Sequence, residues 1–235
     1  MNPLVSVMIG VYNAAPYVGE AIESVLAQDY EPIELIVVDD GSTDGSGEVA
    51  RSFAEVRVVR QENAGNGAAR NRAVEEAQGT LYAFLDADDR FTPGKLNLQK
   101  AALDADPTLD MVFGHVREFL SPELDEATRA TLRPPAPEPM PWTAPNLMLV
   151  RRASFERVGP FTAAVRVGVT VDWFARAAEA GLRYAVLPEV VLERRLHTQN
   201  NGLRESASRS QYIEVLRQAM ERRRAAAEAA QSEAP

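Results

Sequence analysis

The sequence predicts an α/β fold, a mainly parallel sheet covered by helices on both faces. Two observations carry this prediction: short apolar runs alternate with segments whose apolar residues recur every three or four positions, and the apolar runs stop at turns rich in Asp, Gly and Ser. Val5 to Val11 is the first run and ends at Tyr12-Asn13; Glu34 to Val38 is the second and ends at Asp39-Asp40-Gly41-Ser42. Between them, Val18, Ile22, Val25 and Leu26 form the stripe of a helix over Tyr17 to Gln28 that packs on a sheet. The pattern then repeats as a strand at Val56 to Val59, an alanine-rich helix at Gly67 to Ala77, a strand at Leu81 to Leu85 and a helix at Lys95 to Ala105 behind Pro93. Strand, helix, strand in this order needs crossovers, and crossovers make parallel neighbours.

After a further strand at Met111 to Leu120, periodicity disappears. Ser121 to Pro145 carries Pro122, Pro134, Pro135, Pro137, Pro139, Pro141 and Pro145, and reads either as a surface linker or as a mobile wall beside a site. Trp142 within it suits a core anchor as well as a stacking platform. Structure resumes with Asn146 to Val150, helices at Ala153 to Val158 and Val171 to Ala180, and strands at Tyr184 to Leu187 and Val190 to Arg194. A helical tail follows, read as solvated, with a membrane-surface or partner helix as the alternative. The expected organisation is one domain over 1–205, with halves at 1–110 and 111–205, and a tail at 206–235.

The chain has 235 residues and 25.7 kDa, enough for one large core but short for two. Its 46% hydrophobic and 25% charged content excludes a disordered or fibrous chain. No apolar stretch is long enough for a membrane span and no signal-peptide pattern opens the chain, so a cytoplasmic protein is expected, at most peripheral to the inner face of a membrane. Without cysteine, any metal must be held by oxygen or by His115 and His197, which favours hard cations. A net charge of -9 argues against nucleic-acid binding, and an anionic substrate needs a local cation.

Asp39, Asp40, Asp86, Asp88 and Asp89 all fall at the C-terminal ends of predicted parallel strands, the edge at which such sheets bind ligands. Asp86 and Asp88 are two apart; in an extended segment they face the same way, which suits a divalent ion. Gly65-Asn66-Gly67-Ala68-Ala69-Arg70 is no dinucleotide loop: it lacks the third glycine and follows the third strand. Its Arg70 is suited to a base, an acid or a phosphate, or to a structural ion pair.

Ser6 to Asn13, Ile22 to Gln28, Val37 to Gly45, Ala68 to Asn71 and Phe84 to Asp89, in that order, resemble the nucleotide-sugar-binding half of a family 2 glycosyltransferase. The resemblance implies the GT-A fold, a Rossmann-like sheet with an acceptor-side C-terminal region. It implies a nucleoside-diphosphate sugar donor, usually a UDP-sugar, and transfer with inversion to a glycan, lipid-linked or peptide acceptor; the oligomeric state, monomer or homodimer, stays open. It implies Mn2+ or Mg2+ joining the diphosphate to Asp86-Ala87-Asp88, with His197 near both; Val11, Tyr12 and Asn13 at the base; Asp39 or Asp40 at base or ribose; and Arg70 beside the donor. Arg194 and Arg195 supply positive charge there, with one of them expected to bridge structurally.

The family's general base is an aspartate in a Glu-Asp pair opening a C-terminal helix, and this chain lacks the pair. Aligned on the helix, through Arg176 and Gly181, the pair falls on Val169 and Thr170, and Asp172 is a later acidic position. Aligned on Asp172-Trp173, Asp172 is the base. It is the only carboxylate of that segment and the catalytic candidate; the alternative is a structural acid in a weakened transferase that only binds nucleotide or protein.

Overall fold

The computed structural model describes residues 2–162 and 168–200, together with 217 and 222; the sequence-predicted tail thus lies almost wholly outside the described residues. Strands β1 (Val5–Val11), β2 (Ile33–Asp39), β3 (Val56–Arg60) and β4 (Leu81–Asp86) pair in parallel in the order β3-β2-β1-β4. Val5, Val7, Ile9, Ile36, Val37 and Val38 are fully buried, as the unbroken apolar runs of a doubly covered parallel sheet require. Helices α1 (Val18–Leu26), α2 (Ser46–Arg51) and α3 (Asn66–Glu76) make the crossovers. Small residues let α3 approach β1 closely, for a Cβ on Gly10 would lie 3.3 Å from that of Ala69.

The second half continues the same sheet with mixed polarity. Strand β5 (Arg90–Phe91) and helix α4 (Lys95–Ala105) are followed by β6 (Met111–Leu120), α5 (Glu126–Thr131), β7 (Met140–Pro141), a 3₁₀ turn at Pro145–Leu147 and β8 (Leu149–Arg151). Helices α6 (Arg152–Val158) and α7 (Val169–Glu179) precede β9 (Tyr184–Leu196). The full order is β3-β2-β1-β4-β8-β6-β9-β5, with β7 on β6. Strand β8 is antiparallel to both β4 and β6, and β9 is parallel to β6, so β4, β6 and β9 run the same way. Consequently β1, β2, β4, β6 and β9 all end at one edge. The two strands expected at Tyr184 to Leu187 and Val190 to Arg194 are one, interrupted by register shifts opposite Phe113 to Val116.

The proline-rich excursion is pinned to this edge. Buried Glu118 on β6 accepts from Arg133, Arg194 and the Ala136 amide, and the Arg133 hydrogen bonds hold its carboxyl below the usual range despite burial. Trp142 is 38% exposed, with the Arg194 guanidinium 4.8 Å from its ring centroid, so it is no core anchor. The aromatic core lies elsewhere. Trp173 of α7 is fully buried, stacks on Phe155 of α6 at 5.2 Å, and donates its indole N–H to Gly159 O at 2.9 Å.

Lys95, the first residue of α4, is fully buried, donates to Gln99 Oε1 at 2.6 Å and Leu147 O at 3.2 Å, and lies over the Phe91 ring. Burial pushes its ammonium pKa down to about 7, whereas an unfolded lysine titrates near about 10.4. Between those values the unfolded chain binds more protons, so this group makes stability rise with pH from about 7 to about 10. Urea unfolding of the parent and Lys95→Met at pH 7 and pH 9.5 should show this gain in the parent and its loss in the variant.

Candidate active site

The ends of β1 and β2 are tied together by short polar side chains. Asn13 adopts φ 50°, accepts from Thr43 N at 2.9 Å through Oδ1, and donates its backbone N–H to Ser42 Oγ at 3.1 Å. Asp39 is fully buried and accepts from Ser42 N at 2.8 Å and Arg60 at 2.9 Å. Asp40, also buried, accepts from Gln61, Asn63, Ala64 N and Gly65 N and so shapes the whole loop before α3. Both carboxylates are committed to the protein. What they leave open is a depression of ≈ 530 Å³ lined by Gly41, Arg60, Gln61, Glu62 and Asn63, while Tyr12, 51% exposed, follows Val11 at the end of β1.

Asp86 ends β4, and the chain then turns, with Asp89 N donating to Asp86 O at 3.1 Å. The alternation expected for an extended segment therefore does not apply: the carboxylates of Asp86 and Asp88 meet different partners. Asp86 accepts from Arg70 at 2.7 Å and Asn146 at 3.1 Å; Arg70 is itself 6% exposed, so of its expected roles the structure places it on an acidic side chain. Asp88 Oδ2 lies 2.9 Å from His197 Nε2 and 3.3 Å from Asn200 Nδ2. Because His197 Nδ1 accepts from Gln199 N, the neutral ring carries its proton on Nε2 and donates it to Asp88. Ala87 between the two acids is buried. His115 lies inside β6, away from this edge.

Asp89 is the buried third acid, accepting from Arg195 N at 3.0 Å and Asn146 at 2.8 Å. Burial, then the charges of Asp88 and Asp86, push its carboxyl well above the usual range. Arg195, 1% exposed, donates to Asp88 O, Ser121 Oγ and Glu20, between the rings of Tyr17 and Phe119. Tyr17 also packs on His197, with ring centroids 4.6 Å apart, and donates to Glu123, at the start of the excursion. Thus Arg195 and Arg194, the latter bound to Glu118, both serve the scaffold. The sequence reading missed Asn146, Tyr17 and Asn200; for Asn146 the one available signal was a polar residue opening an apolar run.

Among the described residues, no three His, Cys, Asp or Glu side chains form a ready cation cage. The donor set nevertheless fits Mg2+ or Mn2+, which binds through one or two protein groups while substrate phosphates and water fill the remaining positions. Asp88 supplies one such group, and His197 a second once its proton moves from Nε2 to Nδ1 and the long bond from Gln199 N is given up, in a cluster whose excess negative charge a cation relieves.

At the start of α7, Val169 is buried, and a Cβ on Gly67 of α3 would lie 3.1 Å from it. Asp172 is 4% exposed; Thr162, Arg176 and Arg222 all donate to its carboxylate. Burial alone would raise its pKa, yet the hydrogen bonds from Thr162 and Arg176 leave it below the usual range. This ion pair joins Asp172 to Arg176 one helical turn on.

The family model "Glycosyl transferase family 2" matches residues 6–163, more than half of the chain. The chain belongs to this family. It is 43% identical over 93 residues to the uncharacterized glycosyltransferase EpsJ of Bacillus subtilis (strain 168), a match covering 38% of this chain and 27% of that one. The chain therefore spans only a part of the length of this relative. Among solved structures, S. aureus TarS 1-349 in complex with UDP-GlcNAc superposes with TM-score 0.74 at 20% identity, over 92% of this chain and 65% of that 1-349 chain. The mannosyltransferase PcManGT from Pyrobaculum calidifontis, in complex with GDP-Man and Mn2+, gives 0.66 at 25% identity, over 85% and 59%. The fold of this family 2 chain is thus GT-A, and no described helix is long and apolar enough to cross a membrane.

A depressed carboxyl contributes stability that is present above the unfolded pKa, near about 3.9, and is lost as pH falls through the folded value. Asp172→Asn should therefore cost roughly 1.5–3 kcal/mol at pH 7, the value of a hydrogen bond to a charged group. Denaturant melts should show the gap between parent and variant closing below about pH 4.

Proposed function

We propose that this chain transfers a sugar from a nucleoside-diphosphate sugar, a UDP-sugar first among the candidates, to an acceptor hydroxyl with inversion. The observation that carries the reading is the Asp88–His197 pair at the edge where β1, β2 and β4 end, beside the depression that Asp40 shapes. Tyr12 and the Gln61 to Asn63 loop receive the base. Val11 and Asn13 form the floor, and Asp39 and Asp40 act through the loops they hold. Asp88 and His197 hold Mn2+ or Mg2+, with Asp86 behind them on Arg70. Bound there, such a cation would supply positive charge to the diphosphate and to the leaving oxygen as the bond to the anomeric carbon breaks. The UDP-GlcNAc complex of TarS and the GDP-Man and Mn2+ complex of PcManGT support this choice of donor and ion.

Transfer to a hydroxyl needs a base for its proton, and the carboxylate of Asp172, the candidate, is bound by Thr162, Arg176 and Arg222. The helix register puts Val169 and Thr170 where the family pair stands, and Asp172 is held by Arg176. We assign Asp172 as the anchor of α7. This favours a second reading, a weakened transferase that keeps its nucleotide site.

A UDP-release screen across common sugar nucleotides, with a panel of glycan, lipid-linked and peptide acceptors, separates the two. On the first reading the parent releases UDP from one donor. Asp88→Ala should then lose several kcal/mol of transition-state stabilisation, about 100-fold or more in rate, while Asp172→Asn stays within about tenfold. UDP binding with no release by the parent supports the second reading. Release unchanged in Asp88→Ala contradicts the site.

A further inference from the structure

One residue outside the acidic motif binds two of its three acids. Asn146 is 5% exposed and belongs to the 3₁₀ turn Pro145–Leu147 that ends the proline-rich excursion. Its Nδ2 donates to Asp86 Oδ2 at 3.1 Å and to Asp89 Oδ2 at 2.8 Å, drawing one oxygen of each acid toward itself. Asp88 receives no such bond from it. The turn is held from below by a polar network: Leu147 O accepts from Gln99 Nε2 at 2.7 Å and Lys95 Nζ at 3.2 Å, and Gln99 Nε2 also reaches Val112 O. The main chain next to Asn146 is therefore fixed, and its side chain is held by the two carboxylates that Nδ2 binds.

The other half of the same amide is unaccounted for. Asn146 Oδ1 is buried and has no hydrogen-bond partner among the described residues. A buried acceptor without a donor is costly and calls for a water or an ion. Here it sits on the carbon that also carries the nitrogen bound to Asp86 and Asp89, so it belongs to the acidic cluster. An amide oxygen is a hard, neutral ligand of the kind that Mg2+ and Mn2+ accept, directly or through a bound water.

Resting on the cation site proposed above, we propose that Asn146 is a further member of it. Through Nδ2 it turns Asp86 and Asp89 away and leaves Asp88 to the cation; through Oδ1 it provides oxygen to the cation or to a water on it. The excursion that walls the acceptor side is thereby joined to the donor's ion.

The test is Mn2+ binding by the full-length chain, followed by electron paramagnetic resonance with and without UDP, beside thermal melts in EDTA and in Mn2+. Asn146→Ala should weaken Mn2+ binding about 10–100-fold, the usual cost of losing a residue that supports a metal site. Asn146→Asp, which keeps an oxygen but adds a like charge, should melt lower than the parent in EDTA and gain more from Mn2+ than the parent does. Asn146→Ser serves in place of the alanine variant should that one not fold, with the same expected direction. Parent-like Mn2+ affinity in the folded variants, with equal losses of melting temperature in EDTA and Mn2+, would overturn the role of Asn146 and leave the cation site standing. A parent that binds no Mn2+ even with UDP overturns both.

Discussion

Like charges at a strand end have to be held. Asp86, Asp88 and Asp89 lie within one turn, and without donors around them their mutual repulsion and desolvation would open the loop. The structure answers with donors of different origin: Arg70 from α3, Asn146 from the 3₁₀ turn, Arg195 from β9, and His197 and Asn200 after it. The sheet order explains how, since β4 is flanked through β8 by β6 and β9, whose polarity brings Glu118, Arg195 and His197 to the same end.

The same constraint organises the proline-rich excursion. Ser121 and Asn146 bound the proline-rich excursion, and both are tied to the acidic turn, one through Arg195 and one directly. Between them Glu118 fixes Arg133 and Ala136. A segment rich in proline has few backbone donors and little entropy to lose, so a handful of side-chain contacts suffices to place it. Its position is set by ion pairs and hydrogen bonds, as its composition, poor in large apolar residues, requires.

Much of the fold was legible because parallel strands are buried on both faces and turn-rich at their ends: β1, α4 and β6 fall where apolar periodicity puts them. What escaped was short or depended on distant partners. The two-residue strand β5 and the 6-residue helix α2 are too short to show a period. The motif acids were legible in place, whereas their protein partners were not. Asp39 and Asp40 look like ligand contacts in the sequence, yet bind Arg60 and the Gln61 to Gly65 loop. Asp86 and Asp88 diverge because the chain turns between them, which a two-residue spacing cannot reveal. Asp172 pairs with Arg176 four residues on, a contact that holds under either alignment of α7 and that shows why a lone carboxylate at a helix start reads equally as base or as anchor.

The central claim is that the clamped acidic turn presents Asp88 to a cation, and that the cation is what holds a nucleoside diphosphate on an acidic protein. Calorimetric titration of UDP in Mn2+ and in EDTA measures this directly. The account predicts binding in Mn2+ and its near-complete loss in EDTA. Equal affinity in the two buffers would contradict it.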